Sequence, residues 1–161
     1  MVTLVGGWYP GQRQSSGPDV SLILPAHEVG AALRTAELCT MTERTTLVLG
    51  ASPEPSRYAH IAAQRLMGHG HPVVLVGKHK GAIGGEPIVP RVPAGAQVDT
   101  VTLYLAPRNQ TEVMPEVLAL RPRRIIFNPG TENAEFARAA EEAGIEVIEA
   151  CTLVMLSTDQ Y

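Results

Sequence analysis

The sequence predicts an α/β domain of Rossmann-like layout: a mostly parallel sheet of about five to six strands with helices on both faces. Two observations carry that expectation. From residue 45 onward, short apolar runs alternate with segments of helical period, and the apolar runs lead into loops rich in glycine or proline. Several of these runs are almost unbroken in Val, Leu and Ile, as expected of strands covered on both faces.

The elements follow in order. Thr45 to Gly50 reads as a buried strand meeting a glycine. Ser56 is placed to cap a helix reaching about His69, with Ile61, Ala62 and Leu66 on its inner face and Gly70 as its stop. Pro72 to Gly77 is a second strand, and a short extended piece lies around Ile88 and Val89. Val98 to Leu105 reads as a third, long strand, with Val101, Leu103 and Leu105 alternating with Thr100, Thr102 and Tyr104. Asn109, with Glu112 three residues on, resembles a capping box for a helix that turns Val113, Val117 and Leu118 inward. Arg124 to Asn128 is the next strand, Asn133 to Ala143 a helix closed by Gly144, and Ile145 to Ile148 a last strand.

Residues 1 to 40 read differently. Loop-forming clusters such as Gly6-Gly7-Trp8-Tyr9-Pro10-Gly11 carry no sustained period, and only a short run at Val20 to Leu24 and a weak helical stretch at Glu28 to Leu38 interrupt them. The expectation is an N-terminal extension, residues 1–40, that is dispensable or an over-called start, ahead of a domain spanning 41–161. A genuine arm pairing with a partner subunit is the other reading.

Composition excludes several function classes. The chain has 161 residues, 45% hydrophobic and 18% charged, which is room for one sizeable core. A net charge of -3 disfavours a general grip on nucleic acid or acidic membrane. No apolar stretch approaches the roughly 20 residues of a bilayer span. Cys39 and Cys151 are too few for a disulfide framework. His69 and His71, two apart with no nearby Cys or Asp, make a poor metal site, so none is expected. The expectation is a small soluble cytoplasmic domain.

In a sheet of this kind ligands lie beyond the carboxyl ends of the strands, where the strand order reverses. The first such loop holds Gly50, Ala51, Ser52, Ser56 and Arg57, where small residues and a helix N-terminus suit a phosphate. It lacks the G-x-G-x-x-G spacing of dinucleotide enzymes, and a plain tight turn is the alternative. The second loop reads Gly77-Lys78-His79-Lys80, and Lys78 and Lys80 are the only lysines in the sequence. An NAD enzyme would place an acidic residue there to hold the ribose 2′-hydroxyl. Two ammonium groups instead suit a phosphorylated ribose, that of coenzyme A or of NADP. Ala106, Pro107 and Arg108 follow the third strand, and Asn128, Pro129, Gly130 and Thr131 the fourth. Cys151 falls just past the last, either as a reactive thiol near the site or as a small buried side chain. The apolar Leu153 to Leu156 either packs back on the sheet or forms a homodimer contact.

The run Thr46-Leu47-Val48-Leu49-Gly50-Ala51-Ser52, the Val74 to Lys78 loop, the Val98 to Thr102 strand, Phe127 to Glu132 and the terminal Cys151 together resemble the small bacterial CoA-binding-domain proteins. They are similar to the N-terminal CoA-binding domain of the succinyl-CoA synthetase alpha subunit, standing alone, over roughly residues 44 to 156. The resemblance implies coenzyme A or an acyl-CoA across the strand-end loops. Gly50, Ala51 and Ser52 would meet phosphate and Lys78 the phosphorylated ribose. Ala106, Pro107 and Arg108 would border the adenine or the pantetheine, and Asn128 to Thr131 would line the thiol-bearing arm. Many members carry Asn-Pro after the second strand, where this chain has Gly77-Lys78. The synthetase's phosphohistidine domain and nucleotide-binding subunit have no counterpart in these residues, so the resemblance implies non-catalytic or regulatory binding and not ligase chemistry. Two other classes stand beside it: an NADP-dependent or other nucleotide-binding enzyme, and a Rossmann-like interaction module without ligand.

Overall fold

A computed structural model describes residues 44–161, so the expectations for residues 1–40, Cys39 included, lie outside the described residues. Among the described residues seven strands form one sheet: β1 Thr46–Leu49, β2 Val73–Val76, β3 Ala82–Ile83, β4 Glu86–Val89, β5 Thr100–Leu103, β6 Arg124–Phe127 and β7 Glu146–Glu149. Their order across the sheet is β3-β4-β2-β1-β5-β6-β7. All neighbours are parallel except β3, which hairpins antiparallel onto β4. The helices are α1 Tyr58–Gly68, α2 Met114–Leu120, α3 Ala134–Glu142 and α4 Thr152–Ser157, with one 3-10 turn at Pro107–Asn109.

The strand alternation sorts the core into two layers. Leu47, Leu49, Val101, Leu103, Ile125 and Phe127 face one way and pack with Val117 of α2 and with Phe136 and Ala140 of α3. Val48, Val73 and Leu75 face the other way, against Ala59, Ala63 and Leu66 of α1 and Leu156 of α4. Phe127 and Phe136 meet edge to face at 5.6 Å between ring centroids, a geometry aromatic pairs prefer. Met155 and Leu156 are buried, so the C-terminal apolar stretch does pack back on the sheet, while Val154 stays exposed.

Three local expectations change. The expected strand from Val98 to Leu105 is four residues long, and Thr100 and Thr102 are as buried as Val101 and Leu103. Their hydroxyls are tolerated because each has a partner: Thr102 Oγ1 meets Thr152 Oγ1 at 2.8 Å, and Thr100 Oγ1 accepts from Arg124 Nε at 2.9 Å. Asn109 does not cap a helix. It closes the 3-10 turn, and α2 begins five residues later with Val113 as its N-cap and Pro115 in the first turn. Pro115 has no N–H to give and disfavours helical backbone just before it, so it belongs at a helix start. Asn133, by contrast, does cap α3: its side-chain oxygen accepts from the Glu135 and Phe136 amides. For α1 the cap position falls one residue late, at Arg57, and Ser56 instead donates to Glu54 Oε1 at 3.3 Å.

Candidate functional site

The strands end level. Leu49 pairs with Val76 on one side and Leu103 on the other, and Leu103 with Phe127, so the loops after β2, β1, β5 and β6 leave the sheet from one plane. The chain goes from β1 to β2 in one direction across the sheet and reaches β5 on the opposite side of β1, which puts the reversal of strand order between β1 and β5. A cleft of about 1000 Å³ opens at that point. A smaller one, about 380 Å³, adjoins it and shares Gly50, Lys78, Leu105 and Asn109.

Close backbone packing forms the junction of the loops. Gly50 has φ +96°, and a side chain there would collide with the Tyr104 carbonyl. Any Cβ on Gly77 would run into the Ala51 carbonyl oxygen. These two glycines let the loop after β1 settle between its neighbours. The Gly50 and Ala51 amides, however, both donate to the Val76 carbonyl at 2.9 Å. Their N–H groups therefore tie the loop to β2, and neither is free to hold a phosphate. In the same region the first-turn amides of α1, at Tyr58 and Ala59, have no earlier helical carbonyl to bind, and both residues line the larger cleft. His60 ties the loop to α1 through Nδ1, 3.0 Å from the Ser52 carbonyl oxygen.

The expected site residues separate into three groups. Gly50, Ala51, Ser52, Arg57, Lys78, Lys80, Ala106, Pro129, Gly130 and Thr131 line the larger cleft. Gly77 and Arg108 line the smaller one. Ser56, Pro107, Asn128 and Cys151 line neither. Arg57, Lys78 and Lys80 are exposed at the larger cleft and form no ion pair among the described residues; Glu54 is its one carboxylate. The cleft wall is thus positive on a chain whose net charge is negative.

Asn128 is a structural hub below the cleft, not a wall residue. Its Nδ2 donates to Thr102 Oγ1 at 2.7 Å and to the Leu103 carbonyl at 2.9 Å, and its Oδ1 accepts from the Thr152 amide at 2.9 Å. All of its side-chain polar atoms are used in pinning α4 to β5, which leaves none for a ligand. Cys151 is the N-cap residue of α4, a free and half-buried thiol. Tyr104 is among the residues lining the cleft, and its hydroxyl is buried without a hydrogen-bond partner among the described residues. Burial pushes that hydroxyl's pKa up to about 12, so it stays protonated across the neutral range.

Beyond the expected site residues, Tyr58, Tyr104, Leu105 and Asn109 also line the larger cleft. Tyr58 is 72% exposed at the cleft mouth, and nothing about a lone tyrosine at a helix start separates it from any surface residue. Gln110 sits fully buried between the loops after β5 and β6, with one side-chain oxygen unpartnered among the described residues. Such an orphan acceptor costs about 1–3 kcal/mol. The described residues contain no cluster of three metal-ligating side chains, and none of their helices is long and apolar enough to cross a membrane.

Comparison with known proteins bears on this site. The family model described as CoA binding domain matches residues 44–157. No curated protein matches the chain. Among solved structures, the crystal structure of an uncharacterized protein is 48% identical, with a TM-score of 0.72 over 74% of this chain and 99% of the other. The cell-free ID.343 structure from Thermus thermophilus is 30% identical, with a TM-score of 0.66 over 84% of this chain and 98% of that one. A dinucleotide-forming acetyl-coenzyme A synthetase from Ca. Korarchaeum cryptofilum, in complex with phosphate and ADP, shares the fold at 18% identity, with a TM-score of 0.57 over 66% of this chain and 25% of that one. With the family model spanning the whole described sheet and its strand-end cleft, the chain belongs to the CoA binding domain family.

Proposed function

We propose that the strand-end cleft binds coenzyme A or an acyl-CoA, and that the chain acts as a binding or regulatory module without bond-making chemistry of its own. The observation that carries this reading is the pair of lysines, Lys78 and Lys80, without an ion-pair partner among the described residues, at a cleft that opens where the strand order reverses. Free ammonium groups beside a loop crossing are suited to a phosphorylated ribose. The α1 first turn, through the Tyr58 and Ala59 amides and Arg57, offers a second anion position for the pyrophosphate. Gly50 and Ala51 serve as spacers that bring these groups together. The family membership supports the same ligand class.

Titration of the full chain with coenzyme A, 3′-dephospho-coenzyme A and NADP tests it. The expected result is saturable coenzyme A binding, weakened about 10- to 100-fold when the 3′-phosphate is missing. In the double variant Lys78→Ala/Lys80→Ala that discrimination should disappear while the melting temperature holds. Preference for NADP would move the case to a nucleotide-dependent enzyme. No binding of any of the three would leave an interaction module that has the fold without the ligand.

A further inference from the structure

Gln110 is fully buried, and its side chain reaches two loops at once. Nε2 donates to the Leu105 carbonyl at 2.8 Å and to the Thr131 carbonyl at 2.7 Å. Carbonyl oxygens only accept, so the amide orientation is fixed: nitrogen toward the two loops, oxygen inward. That oxygen is the orphan acceptor, with no partner among the described residues. An apolar side chain of similar volume would fill the space and bring no orphan oxygen of its own, but it would leave the Leu105 and Thr131 carbonyls without this donor. Retaining a glutamine there points to what its two donors hold.

Leu105 and Thr131 both line the larger cleft, from the loops after β5 and β6, whereas Gln110 lies beneath it. We infer that Gln110 is a positioning residue for the ligand: it fixes the spacing of the two cleft walls and draws the Leu105 and Thr131 carbonyls away from the bound anion. Both consequences favour the ligand. A carbonyl turned into the cleft would set its lone pairs against a phosphate, and an unclamped loop would have to be ordered on binding. The inference rests on the proposed coenzyme A site and adds to it a residue that touches no ligand.

The test uses the full chain and two variants at this position. Gln110→Met keeps the volume and removes both donors. Gln110→Glu removes them only while its carboxyl is ionised. Val117→Ala, on the buried face of α2, is the control for lost stability alone. Coenzyme A affinity should fall about tenfold in Gln110→Met. It should fall in Gln110→Glu at neutral pH and recover in part as the pH is lowered, because a protonated carboxyl regains one donor. Val117→Ala should melt earlier and bind as the parent chain does. Parent-like affinity in Gln110→Met, or an affinity loss in Val117→Ala of the same size at equal loss of melting temperature, would overturn the positioning role. Should Gln110→Met fail to fold, the pH-dependent recovery of Gln110→Glu decides in its place. Absence of coenzyme A binding by the parent chain overturns the cleft reading itself. Amide exchange then judges the clamp separately: unchanged protection at Gln110 and Thr131 in Gln110→Met would overturn it.

Discussion

The two ends of the sheet handle their charges in opposite ways. At the amino end the cations are engaged. Arg123 bridges Asp99 at 3.1 Å and Glu146 at 3.3 Å. Arg124 donates to Thr100 and lies 4.6 Å from the centre of the Tyr161 ring, and the Tyr161 hydroxyl meets Thr46 Oγ1 at 2.7 Å. His71 packs edge-on against the same ring at 5.0 Å. At the carboxyl end Arg57, Lys78 and Lys80 border a cleft with no ion-pair partner among the described residues. Among the described residues, one end ties its charges into the fold and the other leaves them unpaired. Helix α4 spans the two, held by Asn128 at its start and followed by Tyr161 at the amino end.

The largest expected effect is at the shared anchor. Asn128→Ala removes three buried hydrogen bonds and leaves the Thr152 amide unmet, which should cost about 3 kcal/mol of unfolding free energy. Because Asn128 directly precedes the cleft-lining Pro129 and binds the Leu103 carbonyl just before the loop after β5, coenzyme A affinity should fall too. A urea midpoint equal to that of the parent chain would remove Asn128 from the role of hub. Next comes Tyr161→Phe, which retains the ring against Arg124 and His71 and deletes only the bond to Thr46. It should cost about 1 kcal/mol. Coenzyme A affinity should not change, and a measurable loss of binding there would break the separation between the two ends.

The smallest effect is that of pH on the amino end. Burial lowers the His71 pKa below its ordinary 6.5, and the nearby His69, Arg124 and Arg44 lower it further. The native chain therefore holds fewer protons than the unfolded one once the pH drops below that value. Stability is complete above pH 6.5 and declines as pH falls through the folded-state pKa. For Asp99, burial alone would raise the pKa, but hydrogen bonds from Arg123 and Thr100 outweigh it and hold the carboxyl below 3.8, giving a second decline under that value. Both groups are half-buried close to solvent, where screening keeps each step shallow. Denaturation across this range in the parent and in His71→Phe measures the first step, and an equally steep decline in the variant would assign it elsewhere.

How much of this was legible beforehand depends on the range of the cause. Strand runs such as Leu47 to Leu49 and Ile125 to Phe127, the helix after Asn133 and the stop at Gly70 follow from period and local backbone preference, and each lies where expected. Errors arose where a local signal met a stronger constraint nearby. Asn109 and Glu112 carry the pattern of a helix start, yet Pro115 decides where α2 begins. The strand-end loops were also legible, because the topological rule converts a parallel sheet into an ordered set of loops. Which atoms in those loops remain free was not.

The sequence by itself determined the strands other than β3, the helices α1 to α3, the two-faced core and the isolation of both lysines in one loop, while β3 and α4 were not anticipated. Those properties lie in residue identity and in spacings of two to four positions, within reach of a local reading. The tertiary structure alone decided that Val76 takes up the Gly50 and Ala51 amides, that Asn128 faces inward and that Gln110 joins Leu105 to Thr131. Each of those bonds joins segments that come together only once the parallel strands are in register, and no local pattern records which partner a donor will meet across a crossover.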